Sequence, residues 1–213
     1  WCHNPESQGF GIEVLEAPSG PVSVGREITV DGLAAEIEQD SMFFDESGGG
    51  VTFSGGEPLS QPDFLVAALD RCGEFEIHRA VDTSGFAPLD VLLRVARRTD
   101  LFLFDVKPVT AASHLAETGV ELRVIHETGV ASQLRIPVIP RITNTAENVD
   151  ALRSFVATLP RRLPMKFLAF HTASMDKYER FGMAPPLSDT PAPTKPEMAT
   201  IESRVITGGD RHE

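Results

Sequence analysis

The feature that most constrains this chain is its alternation of strand-length apolar runs with helix-length amphipathic runs. "TVDGLAAEIEQDSMFF" carries apolar residues at helical spacing and reads as one helix, with Thr29 or Asp31 as its cap. "GVTFSGGEP" reads as a short strand running into glycines, and "QPDFLVAALDRC" as a helix with Pro62 in its first turn. "IHRAVDTSG", "LFLFDVK", "SQLRIPVIP" and "MKFLAFH" have strand length and composition. Between them fall the helical patterns "APLDVLLRVARR" and "TAENVDALRSFVATL", the second with Thr145 as a candidate cap. Residues 184–196 are rich in proline and read as extended, and "PEMATIESRVI" closes the chain as a helix. Strands alternating with helices imply right-handed βαβ units and a parallel sheet, either doubly wound or curled into a closed or partial barrel. No GxGxxG stands at a strand end, which weakens the dinucleotide-binding alternative. The crossover "TAASHLAETGVELRVIHETGVA" is the least regular, broken by Gly119 and Gly129.

The chain's 213 residues suffice for one domain with a real core, so we read 1–213 as a single domain with a C-terminal extension over 184–213. A formal net charge of -12 argues against nucleic-acid or anionic-membrane binding through bulk charge. No apolar run approaches the roughly 18 residues of a membrane helix. The two cysteines, Cys2 and Cys72, are too few for a disulfide framework. Cys72, within "FLVAALDRCGEF", reads as a buried helix cysteine, whereas Cys2 sits between Trp1 and His3 in "WCHNPES".

Chemistry gathers where the strands end. Ser54-Gly55-Gly56-Glu57 follows one strand, Asp82 and Thr83 another, Asp105 and Lys107 a third. Arg135 lies within the fourth and His171 follows the last. Parallel α/β folds build their sites at the C-terminal ends of strands, so these groups are expected to converge on one mouth. The paired glycines allow a ligand close to the backbone. Lys and Arg suit a carboxylate, and the two aspartates suit an ammonium, ribose hydroxyls or a hard cation. The set points to a zwitterion joined to a sugar.

Taken together, "WCHNPES", "SGGGVTFSGGEPL", "VDTSG", "DLFLFDVK", "LRIPVIP" and "FHTASMDKYERFGM" resemble, in order, the radical S-adenosylmethionine (SAM) enzymes that activate glycyl radical enzymes, the activators of pyruvate formate-lyase among them. The resemblance implies a partial (β/α)6 barrel, here lacking its first strand. It implies that Cys2 is the last cysteine of a CxxxCxxC loop holding a [4Fe–4S] cluster, with SAM on the open iron. Trp1 and Asn4 then lie on the adenine side. Ser54, Gly55, Gly56 and Glu57 recognise the methionine amino group. Asp82, Thr83 and Asp105 stand near its carboxylate and hold a monovalent cation. Lys107 and Arg135 make further cofactor contacts, and His171 meets the ribose. The implied reaction is reductive cleavage of SAM to a 5′-deoxyadenosyl radical, which takes hydrogen from a glycine of a partner enzyme. The implied partners are a glycyl radical enzyme (pyruvate formate-lyase or a lyase or dehydratase relative) and a flavodoxin- or ferredoxin-type electron donor, in an anaerobic cytoplasm.

The chain departs from that pattern in its cysteines, since a cluster of this kind needs three thiolates. We therefore expect an N-terminally truncated member, inactive as it stands. "QGFGIEVLEAPSGPVSVG" occupies the position of a cysteine-rich insert without any cysteine, and the crossover after Lys107 is shorter than the family's. Two other readings are a radical SAM enzyme acting on a small molecule or peptide, and a cluster-free protein that binds a nucleotide-like ligand.

Overall fold

A computed structural model describes residues 4–7, 9, 11–106, 122, 125–160, 162–173 and 175–206. Five parallel strands form its sheet: β3 (Gly50–Phe53), β4 (His78–Thr83), β5 (Leu101–Asp105), β6 (Ala131–Val138) and β7 (Met165–Ala169). They lie side by side in chain order, β3-β4-β5-β6-β7. A doubly wound sheet reverses direction at a switch point; this one does not, so the winding is that of a barrel. Among the described residues β3 and β7 are its two edges, and the barrel is partial.

Side chains of neighbouring strands divide by register. On β5 and β6 every second residue is buried, and Phe102, Phe104, Leu134 and Ile136 fill the core on one face. Pairing places Asp82 beside Leu103, and Asp105 beside Arg135, on the other face, where burial is only partial. Because strand side chains alternate with period two, the chain buries one face under helices and leaves the other open for chemistry. The helices are α3 (Pro62–Glu74), α4 (Leu89–Ala96), α5 (Ala146–Ala157) and α7 (Lys195–Ile206). Leu69 of α3 and Leu92 of α4 are wholly buried in the same core. Cys72, also on α3, is buried as expected, and that burial pushes its thiol pKa up, leaving it inert.

One local expectation changes, and one segment that carries no assignment from sequence gains a structure. The run from Thr29 to Phe44 is not one helix but two, α1 (Val30–Glu38) and α2 (Ser41–Ser47). Thr29 caps α1 by accepting from the Gly32 amide at 3.1 Å. The break falls at Gln39-Asp40, just before Ser41; Asp and Ser favour caps over helix interiors because their side chains compete for backbone groups. The segment without cysteines is a hairpin, β1 (Glu13–Ala17) paired antiparallel with β2 (Gly20–Val24). The cap at Thr145 forms as read, its hydroxyl accepting from the Asn148 amide at 3.3 Å. Most of the irregular crossover after Lys107 lies outside the described residues. No helix among those described is long and apolar enough to cross a membrane.

One ion pair fastens the open sheet at the base of β4 and β5. Arg79 grips Asp100 through Nε (2.9 Å to Oδ2) and Nη2 (3.0 Å to Oδ1), and its own amide donates to Oδ2 at 2.8 Å. The Arg79 hydrogen bond holds the Asp100 carboxyl below its ordinary value, against a smaller opposing effect of burial. A depressed folded-state value stabilises above the unfolded pKa of about 3.9, and that stability is lost as pH falls through the folded value. Asp100→Asn is therefore expected to cost about 1–2 kcal/mol near neutral pH, the half-exposed setting keeping the figure low. Thermal melts should show the gap between variant and wild type closing as pH drops below about 4; a gap independent of pH would reject the assignment.

Candidate functional site

The strand ends on the open face surround a cleft of about 500 Å³. Its first wall is the loop after β3. Gly55 and Gly56 have φ of +83° and +37°, in the left-handed region that side-chain-bearing residues avoid. A Cβ on Gly56 would lie 2.7 Å from the Ser7 carbonyl oxygen, so only glycine lets the N-terminal segment approach. A Cβ on Gly55 would meet nothing within 4 Å, leaving open space for a ligand against the backbone.

Glu57 ends this loop, and its carboxylate is engaged within the protein. Oε1 accepts from the Leu59 amide (3.1 Å) and the Thr83 hydroxyl; Oε2 accepts from the Ser84 amide (3.0 Å) and hydroxyl (2.7 Å). One side chain thus ties the glycine loop to the end of β4 and caps the 3-10 turn at Pro58–Ser60. Thr83 is nearly buried, and its hydroxyl also accepts from the Gly85 amide at 2.9 Å.

The floor is a charged ladder across three strands. Asp82 Oδ2 accepts from the Ser54 hydroxyl at 3.3 Å and forms an ion pair with Arg135 Nη1. Arg135 Nε lies 3.7 Å from Asp105 Oδ1. The side chain of Asp82 is 16% exposed and that of Arg135 27%, so the guanidinium bridges two carboxylates in a part-dry setting. Ile139, Leu168 and Phe170 add an apolar wall. Apolar walls with a few placed polar groups are the usual make-up of small-molecule sites. A separate cavity between β6, α5 and α7 holds only about 20 Å³ and is lined by Val138, Val149, Leu152 and Ile201; it belongs to the core.

Of the residues singled out from sequence, Asn4, Ser54, Gly55, Gly56, Glu57, Asp82, Thr83, Asp105 and Arg135 line this one cleft. His171 follows β7 on the exposed surface, and its neighbour Phe170 lines the cleft instead. Trp1, Cys2 and Lys107 lie outside the described residues. Sequence reasoning gave no role to Ser7 or Ser84, although both stand in quoted motifs, and it missed the apolar wall because Ile139 and Leu168 read as strand interior. Among the described residues no cluster of three His, Cys, Asp or Glu side chains is disposed to hold a metal ion. In particular, Asp82 and Asp105 share Arg135 as their cation.

No family model matches the chain. It is 31% identical over 209 residues to the pyruvate formate-lyase-activating enzyme of Clostridium pasteurianum, covering 95% of this chain and 82% of that protein. It is 32% identical over 234 residues to the pyruvate formate-lyase 2-activating enzyme of Escherichia coli, covering 98% and 80%. The trans-4-hydroxy-L-proline dehydratase activating enzyme of Clostridioides difficile is 34% identical over 233 residues, covering 84% and 77%. Among solved structures, a domain of a pyruvate-formate lyase-activating enzyme from Bacteroides vulgatus superposes with a TM-score of 0.58 at 29% identity, covering 76% of this chain and 95% of that one. A radical SAM methyltransferase from Sphaerobacter thermophilus superposes with a TM-score of 0.63 at 15% identity, covering 87% and 57%, a likeness of fold alone.

Proposed function

The chain belongs to the radical SAM activating enzymes of glycyl radical enzymes, and from that premise we propose that its cleft binds SAM and that its activity is to generate a glycyl radical on a partner enzyme, a pyruvate formate-lyase or a lyase or dehydratase relative. The observation that carries this reading is the convergence of residues on, or directly after, all five strands of the sheet, with Asn4, on one cleft whose groups suit an amino acid joined to a nucleoside.

In this proposal the backbone of Ser54–Gly56 receives the methionine ammonium. Glu57 does not touch it but holds that loop to β4. Arg135, with Lys107, receives the carboxylate. A monovalent cation near that carboxylate would share Asp82 and Asp105 with Arg135. Asn4 and the wall of Ile139, Leu168 and Phe170 take the adenine side, and His171 at the rim takes the ribose. These groups orient the ligand and exclude water, as an activity that must steer a reactive species requires. A flavodoxin- or ferredoxin-type electron donor and an anaerobic cytoplasmic setting belong to the same proposal.

A [4Fe–4S] cluster belongs to that activity, and the residues here do not meet its need for three thiolates. Cys72 is buried in α3 and takes no part in the cleft wall, which leaves Cys2 as the one candidate. What these 213 residues can be held to is SAM binding. The cysteine count also favours a second reading, a cluster-free protein that binds a nucleotide-like ligand. Equilibrium dialysis separates the two. SAM uptake displaced by S-adenosylhomocysteine and not by ATP is expected; no uptake rejects the proposal, and equal displacement by ATP favours the second reading. In a holoenzyme with all three thiolates, reductant and SAM should raise a glycyl EPR signal on the partner. Production of 5′-deoxyadenosine without that signal would point to a small-molecule or peptide substrate.

A further inference from the structure

The motif "DKYERFGM" has no part in the cleft wall, yet one of its residues reaches the segment that does. Lys177 stands on α6 (Met175–Arg180). Its Nζ donates to Asn4 Oδ1 at 2.7 Å and to Glu6 Oε1 at 3.0 Å. An ammonium has donors only, so it must face the oxygen of the Asn4 amide, which sets the orientation of that side chain. The Glu6 side chain is 23% exposed, and its Oε2 is buried with no hydrogen-bond partner among the described residues. A carboxylate in that setting depends on its counter-charge.

Lys177 is itself firmly mounted. Tyr178 and Phe181 are buried on either side of α6's end. Gly182, with φ of +67°, comes so close to the hairpin that a Cβ there would lie 2.4 Å from the Glu16 carbonyl oxygen. The opposite side of the N-terminal segment is tied to the glycine loop, where the Gly56 amide donates to Ser7 Oγ at 3.0 Å. The Ser7 amide and hydroxyl both donate to the Asn4 carbonyl, closing the turn between these two anchors. Asn4–Ser7 is thus a short turn held between α6 and the loop after β3.

We propose that Lys177 is a positioning residue: by holding Asn4 and Glu6 it sets the part of the cleft wall that Asn4 provides, so ligand affinity depends on a helix that lines no part of the cleft. This rests on the reading of the cleft as a SAM site. The test compares wild type with Lys177→Met, Lys177→Arg, Asn4→Ala and the double variant Asn4→Ala/Lys177→Met. Each is measured by deuterium uptake across residues 4–7 and by its SAM dissociation constant. Lys177→Met is expected to raise uptake in that segment and to weaken SAM binding about tenfold, the scale of one hydrogen bond between charged and neutral groups. Lys177→Arg should restore most of both. The double variant should bind no more weakly than Asn4→Ala alone, because Lys177 acts through Asn4. Lys177→Met with wild-type affinity, or losses that add in the double variant, would overturn the proposal. Should Lys177→Met fail to fold, Glu6→Gln/Lys177→Met, which strands no carboxylate, carries the same comparison. If wild type takes up no SAM, the reading of the cleft fails separately; the positioning role then stands on raised deuterium uptake in Lys177→Met and falls if uptake is unchanged.

Discussion

Glu57→Ala is expected to lower stability by about 3 kcal/mol and to weaken SAM binding by at least about tenfold. The carboxylate accepts from four donors, two of them backbone amides that cannot turn away. Hydrogen bonds to a charged acceptor contribute roughly 1.5–3 kcal/mol each, but the site is half-buried and water re-solvates part of what is lost. In a chain of this size about 3 kcal/mol corresponds to a fall in melting temperature of roughly 6–12 °C. The binding loss has a separate cause. Glu57 makes three of the hydrogen bonds that tie the glycine loop to the end of β4, leaving the longer Ser54–Asp82 bond at 3.3 Å, so without it Ser54–Gly56 are held less closely to the strand ends that complete the cleft. Glu57→Gln separates charge from shape. It keeps one acceptor oxygen and turns an amide group towards donors, of which the Thr83 and Ser84 hydroxyls can rotate to accept. Its cost should be about half that of the alanine variant. Urea unfolding and SAM dialysis on both variants check this, and an alanine variant with wild-type stability would show that the tie bears no strain.

Much of this site could be read before the fold was known, for a reason visible in β4 to β6. Each strand is an apolar run interrupted by an ionisable residue: Asp82 next to the end of β4, Asp105 at the end of β5, and Arg135 within β6, level with Asp105 in the parallel register. Asp82, Asp105 and Arg135 therefore meet by topology, with no need to know their partners. The role of Glu57 could not be read in that way, because its partners Thr83 and Ser84 stand 26 and 27 residues on. Lys177 and Asn4 are 173 residues apart, and neither carries a local signal for the other. The hairpin is faint in sequence because its inner face, Leu15, Ala17, Val22 and Val24, is only half-buried while the apolar Val14 points outward and is exposed, which blurs the alternation. Its turn does carry a sign, Pro18-Ser19-Gly20, with Gly20 at φ +109°. The break within Thr29–Phe44 was hidden because the apolar spacing continues through it, while Asp40 and Ser41 turn the backbone.

Arg135→Met is expected to destabilise the protein by about 3 kcal/mol, through what it leaves behind more than through what it removes. Asp82 and Asp105 stand on neighbouring strands at the same rim, and the guanidinium lies between them. Without it, the part-buried Asp82 carboxylate loses its ion pair and stands near that of Asp105 with no guanidinium between them, and such a charge costs more than the pair contributed. Two measurements distinguish this from a simple packing loss. Rising KCl should narrow the difference in melting temperature between variant and wild type, since screening relieves repulsion in the variant while the internal pair of the wild type is compact and less exposed to salt. Adding Asp82→Asn to Arg135→Met should recover stability relative to Arg135→Met alone, because removing one carboxylate removes the repulsion. If the double variant is as unstable as the sum of the two single losses, the bridge between β4, β5 and β6 is not electrostatic. SAM affinity must follow a different order. On the proposed reading of the cleft, Asp82→Asn/Arg135→Met recovers stability but lacks a cation for the ligand carboxylate. With Asp82→Asn alone as the reference, because Asp82 lines the same cleft, a stable double variant that binds SAM more weakly than that reference would separate Arg135's part in holding the cleft from its part in receiving the ligand.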